Sequence, residues 1–167
     1  MANQDSLAIL RDDHVRALAV LERLAQAVAA LVSGESVGQH RNALEEAARF
    51  FAHNLTLHLR QEEEVLFPAL EEVMGPGAGP PTVMRWEHQE LNEKLADFSD
   101  WLEQWADSDA PWPSQATSTL QEIAYNIIGI LRPHIAKEDE ILFPMAERLL
   151  SQERLRDVGE EMRRLAG

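Results

Sequence analysis

The sequence predicts an all-α protein, an up-down antiparallel four-helix bundle with a short extra C-terminal helix. In four long segments the apolar residues recur at alternating steps of three and four, the spacing of a helix face that is turned toward a core. No segment shows the sustained alternation of apolar and polar residues that is typical of a half-buried strand. Three short breaks, at residues 33–36, 75–81 and 108–114, separate the four segments.

The predicted helices begin and end at residues that favour such boundaries. The four bundle helices are expected at about residues 5–32, 38–73, 82–107 and 114–150, and the short amphipathic helix at about 152–165. The breaks have the sequences SGES, GPGAGPP and SDAPWPS, in which Gly and Pro end or start helices. The core-facing stripe of the fourth helix, for example, runs from Leu120 through Ile127 and His134 to Ile141. These four stripes are expected to form the core of the bundle.

Length and composition indicate one domain and disfavour several functions. With 167 residues, of which 45% are hydrophobic, the chain is expected to form a single domain over residues 1–167. A net charge of −14 disfavours nucleic acid and membrane surfaces as partners. Because the sequence contains no cysteine, disulfides, thiol catalysis and cysteine-ligated metal sites are excluded for it. No leader or membrane-spanning segment is recognisable, so a cytoplasmic location is expected.

A histidine lies on the core-facing stripe of every bundle helix, and two of these histidines are followed by a Glu one turn later. A single histidine in such a place is more often a hydrogen-bonded core residue than a metal ligand. Several together are different, because each buried polar group without a partner costs about 1–3 kcal/mol. A bound cation would compensate this cost directly. The candidate metal ligands are His14, His58, Glu62, His88, His134 and Glu138.

An internal repeat relates the two halves of the chain. The segment HLRQEEEVLFPAL at residues 58–70 matches HIAKEDEILFPMA at residues 134–146. Counting residues from the middle of the first and third connections predicts that His14 is level with His58 and that His88 is level with His134. Each helical hairpin therefore supplies one His from its first helix and a His-x-x-x-Glu from its second. A weaker echo sets Arg11, Asp13 and His14 beside Arg85, Glu87 and His88.

Two such hairpins, related by a pseudo-twofold axis, would form a symmetric site of four imidazoles and two carboxylates. In His-x-x-x-Glu on a helix, both side chains project from the same face and reach the same pocket. If both Glu side chains bridge, each of two ions receives two nitrogen and two oxygen ligands. Mixed imidazole and carboxylate ligation suits iron or manganese, and zinc remains an alternative.

At these residues the sequence resembles the hemerythrin family, specifically bacterial proteins with a His-His-Glu cation-binding domain. The matching features are Asp13-His14, Glu87-His88 and the doubled His-x-x-x-Glu that leads into Leu-Phe-Pro. The resemblance covers nearly the whole chain. It implies a non-haem di-iron centre in which the six candidate residues hold two iron ions joined by an oxo or hydroxo bridge.

The sequence differs from the oxygen-carrying hemerythrins at one informative position. These carriers have a second His four residues after the third-helix His, whereas this chain has Asn92 there. Without a fifth His, both irons are expected to keep open positions, which favours reaction with dioxygen, peroxide or nitric oxide over simple carriage. The fourth-helix carboxylate also comes one residue earlier than in the carriers.

Two function hypotheses follow. The first is a di-iron oxidoreductase that consumes peroxide or another small oxidant with an unidentified electron donor. The second is a sensor, carrier or storage protein for dioxygen or iron. The resemblance extends to iron–sulfur repair proteins that handle nitric oxide, which commonly carry a cysteine-bearing segment that this sequence lacks.

Acidic residues next to the candidate ligands have two possible roles. Asp13 and Glu87 are expected either to accept hydrogen bonds from ligand imidazoles or to lie in solvent. The acidic residues that follow each candidate Glu are predicted to form a solvated rim. These rim residues are Glu63, Glu64, Asp139 and Glu140.

Overall fold

A computed structural model describes residues 5–105, 107–108 and 111–167, and every regular element in these residues is a helix. Residues 1–4, 106 and 109–110, which belong to the predicted domain and in part to its third helix and third break, lie outside the described residues. The described helices are α1 (Ala8–Val32), α2 (37–74), α3 (Pro80–Trp105), α4 (114–149) and α5 (Gln152–Leu165).

Two of these helices change their winding along their length. α2 consists of Val37–Arg49, the π-turn Phe50–Leu55, Thr56–Gln61, the π-turn Glu62–Leu66 and Phe67–Met74. α4 consists of Ser114–Lys137, the π-turn Glu138–Leu142 and Phe143–Leu149.

Helix boundaries follow local chemistry. α1 begins at Ala8 rather than near residue 5, because the Asp5 carboxylate accepts a hydrogen bond from the backbone N–H of Leu7 at 3.0 Å and so stabilises a turn before the helix. α2 ends at Met74, because the next residue, Gly75, has a φ of 96° that is readily adopted only by glycine. Pro80, with its fixed φ and no N–H, then starts α3.

The π-turns of α2 and α4 that start at the two motif carboxylates have a common cause in the Leu-Phe-Pro motif. Each π-turn starts at the motif Glu, and the N–H of the Phe bonds the carbonyl of that Glu five residues earlier, as from Phe67 to Glu62. The following Pro68 or Pro144 has no N–H to continue an α-helical ladder, so the wider turn accommodates its ring. This wider turn also corrects one prediction: Ile141 is exposed, and Leu142 occupies the core position instead.

The helices pack as a bundle with two apolar clusters. α1 packs along α2 and α4, and α4 also packs along α3. The larger cluster is formed by α1 to α4, and the smaller one also includes α5. Between the two clusters lies a layer of buried polar side chains that contains all six candidate ligands. No described helix is long and apolar enough to cross a membrane.

Candidate metal centre

The four histidines of the polar layer form two pairs whose rings are tilted by 52° and 60°. His14 from α1 and His58 from α2 bring their Nε2 atoms to 3.2 Å, and His88 from α3 and His134 from α4 bring theirs to 3.0 Å. All four rings are almost completely buried. The pairs are those expected from counting residues along each hairpin.

The two glutamates lie between these pairs, and each offers one oxygen to each pair. Glu62 places Oε1 3.4 Å from His58 Nε2 and Oε2 3.3 Å from His88 Nε2. Glu138 places Oε2 3.0 Å from His14 Nε2 and Oε1 2.9 Å from His134 Nε2. Both carboxylates are therefore placed as bridges between two nitrogen pairs.

The donor set fits two metal ions. Two groups of possible ligand atoms, all within 4.8 Å of one another in each group, share both glutamates and differ in the histidine pair. Among the described residues, no donor makes a hydrogen bond of acceptable geometry to any oxygen of Glu62 or Glu138, although both side chains are buried. Paired nitrogens and carboxylate oxygens that converge in this way match the ligands of iron, manganese or zinc.

A second layer of carboxylates orients all four imidazoles. Each Nδ1 contacts a carboxylate from another helix, so a proton on Nδ1 is bound there and the Nε2 lone pair faces the centre. Of the two roles predicted for Asp13 and Glu87, the structure shows the first: they accept hydrogen bonds from His58 and His134. Glu63 and Asp139 accept hydrogen bonds from imidazoles as well; their side chains are 41% and 39% exposed, as expected for a solvated rim, but these contacts with imidazoles were not predicted. The contacts are His14–Asp139 at 2.9 Å, His58–Asp13 at 3.4 Å, His88–Glu63 at 2.8 Å and His134–Glu87 at 2.8 Å.

These outer contacts obey the pseudo-twofold relation. The acid that precedes a first-helix His binds the second-helix His of the same hairpin, and the acid that follows a bridging Glu binds the first-helix His of the other hairpin. The Phe of each Leu-Phe-Pro motif stacks on a first-helix His, and an arginine guanidinium also lies over the same Phe ring. These stacks are Arg11–Phe143–His14 and Arg85–Phe67–His88.

Comparison with known proteins identifies this arrangement. Residues 5–146 match the family model described as the hemerythrin HHE cation-binding domain. The chain belongs to the hemerythrin HHE family. The resemblance inferred from the doubled His-x-x-x-Glu motif is thus confirmed.

Curated relatives of this hemerythrin-family chain include the iron-sulfur cluster repair protein YtfE of Cronobacter sakazakii, which is 37% identical over 97 residues. The YtfE protein of Escherichia coli O81 is 36% identical over the same length. Each alignment covers 55% of this chain and 41% of the relative. The match therefore spans less than half of the length of these curated relatives.

The carboxylates and imidazoles of this hemerythrin-type centre strongly shift one another's pKa values. Burial lowers the pKa of His58, but the charge of Glu62 and the hydrogen bond to Asp13 outweigh burial and raise it to about 10. Burial likewise opposes a raised pKa at His88, yet the nearby Glu138 and Glu62 carboxylates raise it to about 10. Without metal, protons on these imidazoles compensate the two buried carboxylates.

Asn92 does not lie at the centre. Its side chain is exposed, whereas Leu91, three residues after His88, is buried on the core-facing side of α3. Position 92, where the oxygen carriers have their additional His, therefore does not share the metal-facing side with His88 in this chain, because the core-facing side continues from residue 88 to residue 91. In this member of the family, a histidine at position 92 would lie on the exposed side of α3 rather than at the metal centre.

Proposed function

We propose that this hemerythrin-family chain is an up-down four-helix bundle that holds two non-haem iron ions and reacts with a small oxidant. The oxidant would be dioxygen, hydrogen peroxide or nitric oxide, and the role would be defence against oxidative or nitrosative stress. One observation carries the proposal: both buried glutamates offer one oxygen to each of two histidine pairs. This arrangement suits two ions with equivalent ligand sets, His14 and His58 for one and His88 and His134 for the other.

The chain's own residues prepare the ligands for this task. The outer carboxylates hold the Nδ1 protons and keep the Nε2 lone pairs directed at the centre. The imidazole contacts at Glu138 outweigh burial and hold its pKa well below the usual range, so this carboxylate is ionised near neutral pH. Bound iron would supply one-electron redox chemistry and open coordination positions at this buried layer.

A cavity beside the centre supports a small reactant. It has a volume of about 10 Å³, roughly the space of one water molecule. Phe50, Leu55, Leu59 and other apolar side chains line it together with His14, His58, His134 and Glu138. A reactant with two non-hydrogen atoms fits this space better than an organic substrate, and the apolar lining keeps bulk water away.

Redox turnover and reversible binding make different demands. Because each ion would have four protein ligands, two nitrogens and two oxygens, both would have positions open to a reactant. Open positions on both ions would let a small oxidant contact both of them, which favours turnover. A dioxygen or iron sensor, carrier or storage protein without turnover is the alternative.

Metal analysis and optical spectra test the proposal. Protein from iron-supplied cells should contain about two ions per chain, as two ligand groups predict, and its spectrum should change on addition of dioxygen or peroxide. His58→Leu with His134→Leu should abolish metal binding, whereas His53→Asn, on the exposed side of α2, should leave it unchanged. A folded wild-type protein without metal would refute the proposal. Consumption of many peroxide equivalents per chain indicates turnover, and a stoichiometric spectral change indicates binding.

A second candidate function rests on the curated relatives. The YtfE proteins that match 55% of this chain are named for iron-sulfur cluster repair, and an iron-loaded chain would be able to supply iron for such repair. The test is to mix the loaded protein with an enzyme whose iron-sulfur cluster has been damaged by peroxide. Recovery of enzyme activity beyond that given by an equal amount of free ferrous iron supports repair; equal recovery excludes it.

A further inference from the structure

The C-terminal helix α5 packs on the part of α2 that carries two of the six site residues. It contacts both Thr56–Gln61, which contains His58, and the π-turn Glu62–Leu66, which starts at Glu62. Its buried face consists of Leu155, Val158, Gly159 and Met162. The match to the hemerythrin HHE model ends at residue 146, so α5 lies outside the part of the chain that this family model covers.

A buried hydrogen bond ties α5 to the residue next to the bridging Glu62. The Gln61 side chain is completely buried, and its Nε2 donates to the backbone carbonyl of Met162 at 2.9 Å. Among the described residues, Gln61 is the single buried polar side chain outside the six of the metal centre. Burying an amide is costly unless it is hydrogen-bonded. The bond to Met162 satisfies the Nε2 group and joins α5 to the helix that carries Glu62, whereas the Gln61 Oε1 has no hydrogen-bond partner among the described residues.

α5 also approaches the start of α1 very closely at Gly159. A Cβ atom at this position would lie 3.1 Å from the Ser6 carbonyl oxygen and 3.3 Å from the Ser6 Cβ. Glycine weakens a helix interior by about 1 kcal/mol relative to alanine. Its presence in the middle of α5 is explained by this close contact. A side chain at position 159 would therefore require α5 or the turn at Ser6 to shift by a few tenths of an ångström.

Glu62 depends on support from its outer side. It starts a π-turn, a rare form that occurs mostly as a single turn inside α-helices, and its two oxygens serve both histidine pairs. A small backward shift of this turn would weaken the ligation of both ions at once. α5 contacts this turn, and Val65 and Leu66 of the turn share the smaller apolar cluster with Leu155, Val158 and Met162 of α5.

We propose that α5 is a latch that retains the metal ions, with Gln61 as the residue that positions Glu62 through its bond to α5. This inference rests on the proposed metal-binding function. When α5 is docked, Glu62 is held against the histidine pairs; when it undocks, Glu62 moves back and the ions leave. Because docking favours metal binding, bound metal must in turn favour docking.

Two variants test the latch in the full-length protein loaded with ferrous iron under anaerobic conditions. Gln61→Leu removes the hydrogen bond and replaces the amide with an apolar side chain of similar size. Gly159→Ala introduces the contact with Ser6. Release of iron to a chromophoric chelator should accelerate about tenfold in Gln61→Leu, the change expected for loss of one buried hydrogen bond. It should also accelerate in Gly159→Ala, in which the contact with Ser6 disturbs the docking of α5. Gly129→Ala is the matched control, because a Cβ there meets nothing within 4 Å.

A second control separates latching from general loss of stability. Val28→Ala removes buried volume from the larger apolar cluster, so it should lower the melting temperature of the metal-free protein without accelerating release. Hydrogen exchange of the α5 amides should be slower in the iron-loaded protein than in the metal-free protein, and this difference should shrink in Gln61→Leu.

The outcomes separate the two proposals. If wild-type protein binds no iron, the metal-binding function fails and the latch fails with it. If iron binds but is released at the wild-type rate in both variants, although exchange shows that α5 is loosened, the latch alone is overturned. If Val28→Ala accelerates release as much as Gln61→Leu, stability rather than docking controls release, and the latch is again overturned.

Discussion

The two His-x-x-x-Glu segments of the chain are alike toward the centre and different on their outer sides. Residues 58–62 and 134–138 place a histidine and a bridging glutamate in equivalent positions. Behind them, Gln61 and Val65 are 0% and 5% exposed because α5 covers them. The corresponding Lys137 and Ile141 have exposed fractions of 41% for the side chain and 51% for the residue.

This difference shows that one inner geometry has two kinds of outer support. In α2 the support is packing and a buried hydrogen bond from α5. In α4 it is electrostatic, since Lys137 pairs with Glu87, which binds His134. Burial opposes ionisation of Glu87, but Lys137 and His134 outweigh it and lower the pKa of this carboxyl. The residue types that face the centre are determined by the ligands that the site needs, whereas the residue types behind them are determined by the helix that packs there.

The largest effect on metal binding should come from changing one of the two glutamates that face the centre. Glu62→Gln and Glu138→Gln each remove a charge that serves both histidine pairs, so each should weaken metal binding by more than about a hundredfold, beyond the loss typical of outer partners. Both variants should lose both ions, and to a similar degree. Metal analysis after gel filtration measures this. Glu64→Gln, on the exposed side of α2, is the control, and loss of only one ion from either variant would contradict bridging.

Outer carboxylates should differ according to their contacts. Glu87→Gln is expected to reduce metal affinity by about ten- to hundredfold, because its contact with His134 is 2.8 Å long. Asp13→Asn should have a smaller effect, because its contact with His58 is 3.4 Å long. Competition with a chelator of known affinity gives both values. Equal losses would show that the outer contacts do not distinguish the two halves.

The metal-free protein should lose stability as the pH rises. The pKa values of His58 and His88, about 10 in the folded chain, lie above the ordinary value of 6.5. Their contribution to stability is fully present below pH 6.5 and is lost as the pH rises through about 10. The melting temperature of the metal-free protein should fall by about 5 °C or more over this range. His58 and His88, one from each half of the chain, both contribute to this fall. Thermal melts of metal-free and loaded protein measure it, and a metal-free melt without this decline would disprove the pairing.

The smallest effects concern the outer apolar residues. Val65→Ala should destabilise the protein by about 1–2 kcal/mol, because Val65 is packed under α5. Ile141→Ala should change stability by no more than about 0.5 kcal/mol, because Ile141 is exposed. Urea unfolding of the two variants provides the comparison. A similar cost at both positions would mean that the outer side of α4 is covered in solution.

Sequence alone predicted the six polar residues of the central layer because their spacing is that of one helix face. The i and i+4 relation of His58 and Glu62 survives since the π-turn starts only at the glutamate. Beyond that point the α-helical period no longer applies. For this reason Ile141 was misplaced. Glu63 and Asp139 have the solvent exposure predicted for them, but their contacts with imidazoles of other helices were not predicted.

The energetic argument from sequence was also incomplete. It assumed that the buried polar groups need a metal ion, but the raised pKa of His58 and the lowered pKa of Glu138 show that acid–base pairing compensates part of the cost. Pairing between helices depends on tertiary distances of about 3 Å, the range of a hydrogen bond. Such distances cannot be obtained from the spacing within one helix.

The smaller apolar cluster has a consequence for how the chain folds. It joins Leu7 and Leu10, near the start of the chain, to Leu155, Val158 and Met162 in α5. These contacts span about 150 residues of sequence, so they are among the slowest to form by chain diffusion. During synthesis on a ribosome, the first turns of α1 lack their contacts with α5 until α5 has emerged, although the other helices of the cluster are already present. Folding of this end of the bundle is therefore completed last, when the two ends of the chain meet.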